Sequence, residues 1–226
     1  MTPILLINPN SSSATTRMMV DIASQCSPAL LQVHGETAQN GPSMIVNEDE
    51  LQAAAAEVEQ CWRSAGPAWA GVIVSAFGDP GLERLRALCP LPVVGIAEAS
   101  MLEAGANGRR FGVATVTPEL AAAIARRAEA VGMAQQYTGI RLTEGDPRAL
   151  SANPQLLEQA LAEAVQRCIS EDGAEAVIIG GGPLGQAAIA LKHRFSVPII
   201  APIPAAVNRL LALLGQASTE PQPLRA

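Results

Sequence analysis

The sequence predicts an α/β fold of two pseudo-symmetric lobes, each a four-stranded parallel sheet flanked by helices, with a functional site in the cleft between them. Short β-rich runs alternate with helix-patterned stretches from end to end, which is how a parallel sheet wound with helices reads. The chain also repeats itself. Val72-Ile73-Val74-Ser75-Ala76-Phe77-Gly78-Asp79-Pro80-Gly81-Leu82 returns in altered form as Val177-Ile178-Ile179-Gly180-Gly181-Gly182-Pro183-Leu184-Gly185, an offset of 177 − 72 = 105. Leu5-Leu6-Ile7-Asn8-Pro9 matches Phe111-Gly112-Val113-Ala114-Thr115, Pro92-Val93-Val94-Gly95-Ile96 matches Pro198-Ile199-Ile200-Ala201-Pro202, and Asn47 matches Asn153, each offset by 106. One register held across separate elements indicates two copies of one unit.

Taken in order, the first copy reads strand 3–8, helix 13–26, strand 29–34, helix 48–65, strand 70–76, helix 80–88 and strand 92–96. The second reads strand 110–115, helix 118–131, strand 138–143, helix 154–171, strand 175–180, helix 184–193 and strand 197–201, and a last helix follows at 204–215. The N-terminal lobe is expected to hold residues 1–97 plus 206–226, and the C-terminal lobe residues 98–205. Asn47 with Glu50 is a capping-box pattern; Thr117-Pro118 and Asn153-Pro154 place a cap residue before a first-turn proline; Gly132 and Gly173 suit helix stops. The polar stretch 35–46, with Gly41-Pro42, is expected to be a loop over the cleft, and the tail from Gln216 to fray.

With 226 residues, 49% hydrophobic and 16% charged, the chain can bury a substantial core. A net charge of −6 and a pI near 5.0, with no Lys/Arg cluster, exclude a nucleic-acid partner. The apolar stretch 176–191 is broken by glycines and Gln186 and falls short of a membrane span. Ile4-Leu5-Leu6-Ile7 reads as a first strand and not as an export signal. Cys26, Cys61, Cys89 and Cys168 lack metal-ligand spacing, so a cytoplasmic protein with reduced thiols is expected. No metal and no organic cofactor is implied. The apolar helix faces lead us to expect a homo-oligomer.

In open parallel sheets, ligands sit beyond the carboxyl ends of the strands. Four such ends carry chemistry-bearing residues here: Asn8 to Ser13, Ser75 to Gly81, Thr115 to Thr117, and Gly180 to Gly182. Serines, threonines and Asp79 at these places serve equally well as helix caps. Three successive glycines also let backbone approach a ligand and offer it amides. Neither a dinucleotide fingerprint nor a P-loop is present. His34 and His193 stand alone and read as surface or structural residues.

Ile7-Asn8-Pro9-Asn10-Ser11-Ser12, Phe77-Gly78-Asp79-Pro80-Gly81-Leu82, Pro92 to Ala99 and the glycines near 180 resemble the aspartate/glutamate/hydantoin racemase superfamily, most closely its hydantoin and allantoin racemase branch. The resemblance implies two pseudo-symmetric lobes and an isomerase. It also implies two cysteines, one at each lobe's third strand end, that remove and return an α-proton on opposite faces. The motifs place Ala76 and Gly181 at those two positions, and neither residue transfers a proton. What the resemblance leaves is an anion-binding frame: backbone at Ala76, Phe77, Gly78, Gly181 and Gly182, hydroxyls of Ser12, Thr115 and Thr117, and the amide of Asn8. Ser75 and Asp79 are the candidate catalytic groups, and Glu98 is a further candidate beside the substrate. The expected substrate is a small anionic carboxylate, amino-acid derivative or hydantoin-type cyclic amide. Three functions stay open: an isomerase using non-cysteine groups, a lyase or hydrolase with an activated water, and a catalytically silent binder of the same ligands.

Overall fold

The computed structural model describes residues 2–29 and 31–217. The first lobe runs β1 (Thr2–Asn8), α1 (Ser13–Cys26), β2 (Leu31–Thr37), α2 (Glu48–Ser64), β3 (Gly71–Val74), α3 (Leu82–Leu88) and β4 (Val93–Gly95). Helix α4 (Ile96–Ala104) leads into β5 (Phe111–Thr115), α5 (Ala121–Ala130), β6 (Tyr137–Leu142), α6 (Pro147–Ser151) and α7 (Pro154–Ser170). Then come β7 (Ala176–Ile179), α8 (Gly185–Leu191), β8 (Ile199–Ile200) and α9 (Pro202–Ala217).

Two four-stranded sheets result, in the orders β2-β1-β3-β4 and β6-β5-β7-β8, with every pair parallel. The duplicated sequence thus becomes duplicated topology. Ile7 pairs with Val74 in one sheet and Ala114 with Ile179 in the other, so equivalent strand ends finish side by side. The central strands are buried on both faces, Val72, Ile73 and Val74 as fully as Val177, Ile178 and Ile179, which is why they are continuous apolar runs.

Each lobe has its own outer core, Val58, Leu82 and Leu85 in the first and Leu157, Leu161 and Leu191 in the second. A third cluster crosses between them, joining Leu6, Ile73 and Met101 to Phe111, Val113 and Ile178. Helix α9 returns to the first lobe, and Leu210 occupies the space beside β3 that a side chain at Gly71 would fill, 2.8 Å from where its Cβ would lie.

Local signals set most helix starts. Asn47 Oδ1 accepts from Glu50 N–H at 2.9 Å, Glu50 Oε2 accepts from Val46 N–H at 2.8 Å, and Asn153 Oδ1 accepts from Leu156 N–H at 3.2 Å. Thr117 departs from the expectation, since its side chain makes no capping bond. Three further differences stand out. Helices α4 and α6 form where no element was expected, apart from Ile96, which was expected to end the strand at 92–96. The sequence-predicted strand at 29–34 extends to Thr37, which shortens the loop before α2 to residues 38–47. The expected last helix begins earlier and runs to Ala217, and the tail beyond it lies outside the described residues.

Candidate active site

The carboxyl ends of β3 and β7 run against each other. A Cβ on Gly182 would meet the Ser75 carbonyl oxygen at 3.2 Å, and one on Gly180 would meet Phe77 Cε1 at 2.9 Å. Ala76 and Gly181 are therefore bracketed by contacts on both sides, one from each lobe. They line a shared hollow of about 40 Å³, room for roughly three waters. Ser75, Phe77, Thr115, Thr117 and Gly182 line it as well.

Its donors are mostly backbone. Among the described residues, the main-chain N–H groups of Phe77, Gly181 and Gly182, which line it, have no hydrogen-bond acceptor, and neither has that of Gly78 beside them. Buried amides are nearly always paired, so the unpaired ones of the buried residues Phe77 and Gly182, at two facing strand ends, are available to a ligand. Gly78 needs its missing side chain, because its φ of 121° lies in the left-handed region.

Thr115 Oγ1 donates to the Gly180 carbonyl at 2.6 Å, tying β5 to the glycine segment, and lies 3.4 Å from Thr117 Oγ1. Thr117, which makes no capping bond, also lines the hollow. The sequence reading put Asn10 within the strand-end segment 8–13 but singled out Asn8 and Ser12 there instead. Asn10 Oδ1 accepts from Asn8 Nδ2 at 2.9 Å and from Ser12 N–H at 3.0 Å, which leaves its Nδ2, without a partner among the described residues, as the group the hollow receives. The motif Asn8-Pro9-Asn10 carried the signal, but which asparagine faces inward depends on the turn. Apolar walls complete the enclosure: Met44 and Ile45 from the 38–47 loop, Leu120 and Ile124 from the start of α5 and the turn before it, and Leu184.

Five expected site residues stand elsewhere. Asn8 is fully buried behind Asn10, its Nδ2 also reaching Ser12 O and Thr16 Oγ1. Ser12 Oγ caps α1 by accepting from Thr15 N–H at 3.2 Å. Gly78 borders a separate opening beside Leu51 and Arg126. Glu98 is paired with Arg86 through two bonds of 2.6 and 3.0 Å on the far side of the junction. Asp79 is absent from the lining because the backbone turns at φ 51° and buries its carboxylate against α4, where it accepts from Ala97 N–H at 2.9 Å and Glu98 N–H at 2.7 Å.

Ser75, which does line the hollow, donates its hydroxyl to Met19 Sδ at 3.0 Å, so no carboxylate or imidazole activates it. Among the described residues lining the hollow, none is titratable. The cysteines lie in other places: Cys26 in α1, Cys61 in α2, Cys89 at the end of α3 and Cys168 in α7. Burial keeps them as thiols, pushing Cys61 up to about 11, with Glu36 and Glu57 adding to it, and Cys168 to about 12. Among the described residues no group of three or more His, Cys, Asp or Glu side chains is arranged to hold a metal ion, and no helix is long and apolar enough to cross a membrane.

The sequence model of the Asp/Glu/hydantoin racemase family matches residues 4–210. The chain is 30% identical over 218 residues to a hydantoin racemase of Paenarthrobacter aurescens, covering 94% of this chain and 92% of that protein. The solved structure of an allantoin racemase from Klebsiella pneumoniae superposes with a TM-score of 0.89 at 28% identity, over 96% of this chain and 89% of that one. An allantoin racemase from Pseudomonas fluorescens gives a TM-score of 0.91 at 23% identity over 100% and 99% of the two chains, a likeness of fold.

Proposed function

Because the chain belongs to the Asp/Glu/hydantoin racemase family, we propose that it is a racemase-type enzyme for a small carboxylate or hydantoin-type cyclic amide that works without thiols. One observation carries this reading: a hollow between the lobes with three vacant main-chain donors, at Phe77, Gly181 and Gly182, and, among its described lining residues, no titratable side chain. Such a site favours negative charge on a ligand oxygen. The N–H groups of Phe77, Gly181 and Gly182, with Asn10 Nδ2 and the Thr117 hydroxyl, would hold the enolate oxygen as the α-proton leaves. Water admitted to the hollow then carries the proton from one face to the other. Neither Ser75 nor Asp79 transfers it, the first bound to sulfur and the second turned away.

The same absence of a base favours a second reading, in which the hollow binds the ligand unchanged. Loss of carbon dioxide is a third, since the departing carboxylate leaves its electron pair on carbon and needs no base. Incubation with hydantoins and small carboxylates in heavy water separates them. The first reading expects a raised melting temperature and deuterium at the α-carbon. A melting shift with unchanged ligand supports the binder, and released carbon dioxide or an opened ring supports the lyase or hydrolase. If no member of either ligand class shifts the melting temperature, all three readings fail.

A further inference from the structure

Asp79 and Arg127 meet across the two lobes, each a short step from a wall of the hollow. Asp79 follows Phe77 by two positions on the β3 end; Arg127, on α5, follows Ile124 by three, so both lie on one face of that helix. Arg127 Nε lies 3.4 Å from Asp79 Oδ2, and its Nη2 donates to the Asp79 carbonyl oxygen at 3.2 Å. Its Nη1 reaches Glu83 Oε1 at 3.0 Å. The Asp79 carboxylate also closes the N-terminus of α4, whose preceding residue is Gly95, and a Cβ there would run into that carboxylate. The space for the contact is thus built into two other parts of the chain. Asp79 keeps a left-handed backbone that a non-glycine residue rarely adopts, which persists only where its surroundings hold it.

We propose that Asp79 is a positioning residue: held by Arg127 and by the first amides of α4, it sets the distance between the Phe77 and Ile124 walls of the hollow. The role concerns the shape of the site and is independent of which ligand the site takes. A simple helix cap would stabilise α4 and leave the second-lobe wall alone. The positioning role connects three elements, so a change at either member of the pair must be felt at Ile124 and at the Phe77 segment together.

NMR on the full chain with labelled methyl groups tests this in the absence of ligand. Asp79→Asn is expected to shift the Ile124 δ1 and Ala76 methyl signals and the Phe77 and Gly78 amides, with Ile4 and Leu161 unmoved. It should also cost Ala97 and Glu98 about tenfold in amide-exchange protection, since hydrogen bonds to a charged group are among the stronger ones. Arg127→Met should reproduce the Ile124 and Phe77 shifts while leaving Ala97 and Glu98 protected, and Arg127→Lys, which restores the charge, should return them part of the way. Where Asp79→Asn does not fold, the Arg127 pair carries the test. Disturbance confined to α4, or Ile124 signals unmoved in Arg127→Met, overturns the proposal.

Discussion

The ring of Phe77 lies directly over Gly180, so that a side chain on that glycine would stand 2.9 Å from Phe77 Cε1 and 2.6 Å from Val113 Cγ1. This contact locks the end of β3 onto the end of β7. It explains why Ala76 and Gly181, 105 residues apart by 181 − 76, face one hollow.

Gly180→Ala is therefore expected to destabilise the protein by about 1–3 kcal/mol, the usual cost of overpacking a close-packed site. Gly181→Ala is expected to cost less, about 1 kcal/mol, because its backbone is extended and its new methyl meets the Leu184 side chain alone, at 3.0 Å, with no aromatic ring or backbone in the way. Urea unfolding of both variants decides it; equal losses would contradict the Phe77 contact.

If the hollow is a racemase site lacking thiols, Ala76→Cys with Gly181→Cys should supply the two missing proton carriers. Deuterium incorporation at the α-carbon of a hydantoin should rise about a hundredfold over the parent in the double variant, the lower end of what positioned acid–base groups give. Each single variant should show less, since one thiol serves one face. A double variant that folds and binds the hydantoin yet exchanges no faster would show that the two positions do not flank the α-carbon.

Asn10→Asp keeps the oxygen that accepts from Asn8 and Ser12 but replaces the inward Nδ2 donor with a second oxygen. Affinity for a small carboxylate should fall by about tenfold or more, as a charge-assisted bond becomes a repulsion. A neutral cyclic amide should be affected less. Melting shifts measured with each ligand provide the comparison, and equal loss for both would place Asn10 outside the ligand's reach.

Burial raises the Asp79 carboxyl from its ordinary 3.8 to about 6, against the pull of Arg127 and of the Ala97 and Glu98 amides, with the Glu98 charge adding to the rise. A carboxyl whose folded value exceeds its unfolded value takes up its proton first in the folded state. Its contribution to stability is full below the unfolded value and is lost as pH rises through the folded one. Unfolding free energies at about pH 4 and about pH 7 should thus favour wild type over Asp79→Asn more at the acid end, by on the order of 2 kcal/mol. A difference that moves the opposite way would show the ion pair with Arg127 outweighing burial.

Much of the molecule was legible in advance because its signals are local. Asn47 and Asn153 start their helices with bonds three residues away, and the apolar runs of β3 and β7 declare strands covered on both faces. Helix α4 was not legible, because its first amides are capped by Asp79 from 18 and 19 positions earlier and Gly95 offers no cap of its own. The site shows the same division. Phe77, Thr115, Thr117 and the glycines at 181 and 182 were read from the strand ends that carry them. Asn10, Met44 and Ile45 were not singled out, since their facing depends on the turn after β1 and the course of the 38–47 loop.

From sequence alone came the duplicated α/β architecture, a property of residues at matched places in a repeat, and, through the family resemblance, the sulfur-free pair Ala76 and Gly181. Only the tertiary structure decided which polar groups are satisfied within the protein and which are left vacant. Asn8, Ser12, Asp79 and Glu98 found partners within the protein, from Thr16 to Arg86 and Arg127, while the amides of Phe77, Gly78, Gly181 and Gly182 found none among the described residues. A polar group's role follows from what satisfies it, and those partners arrive from elements far along the chain.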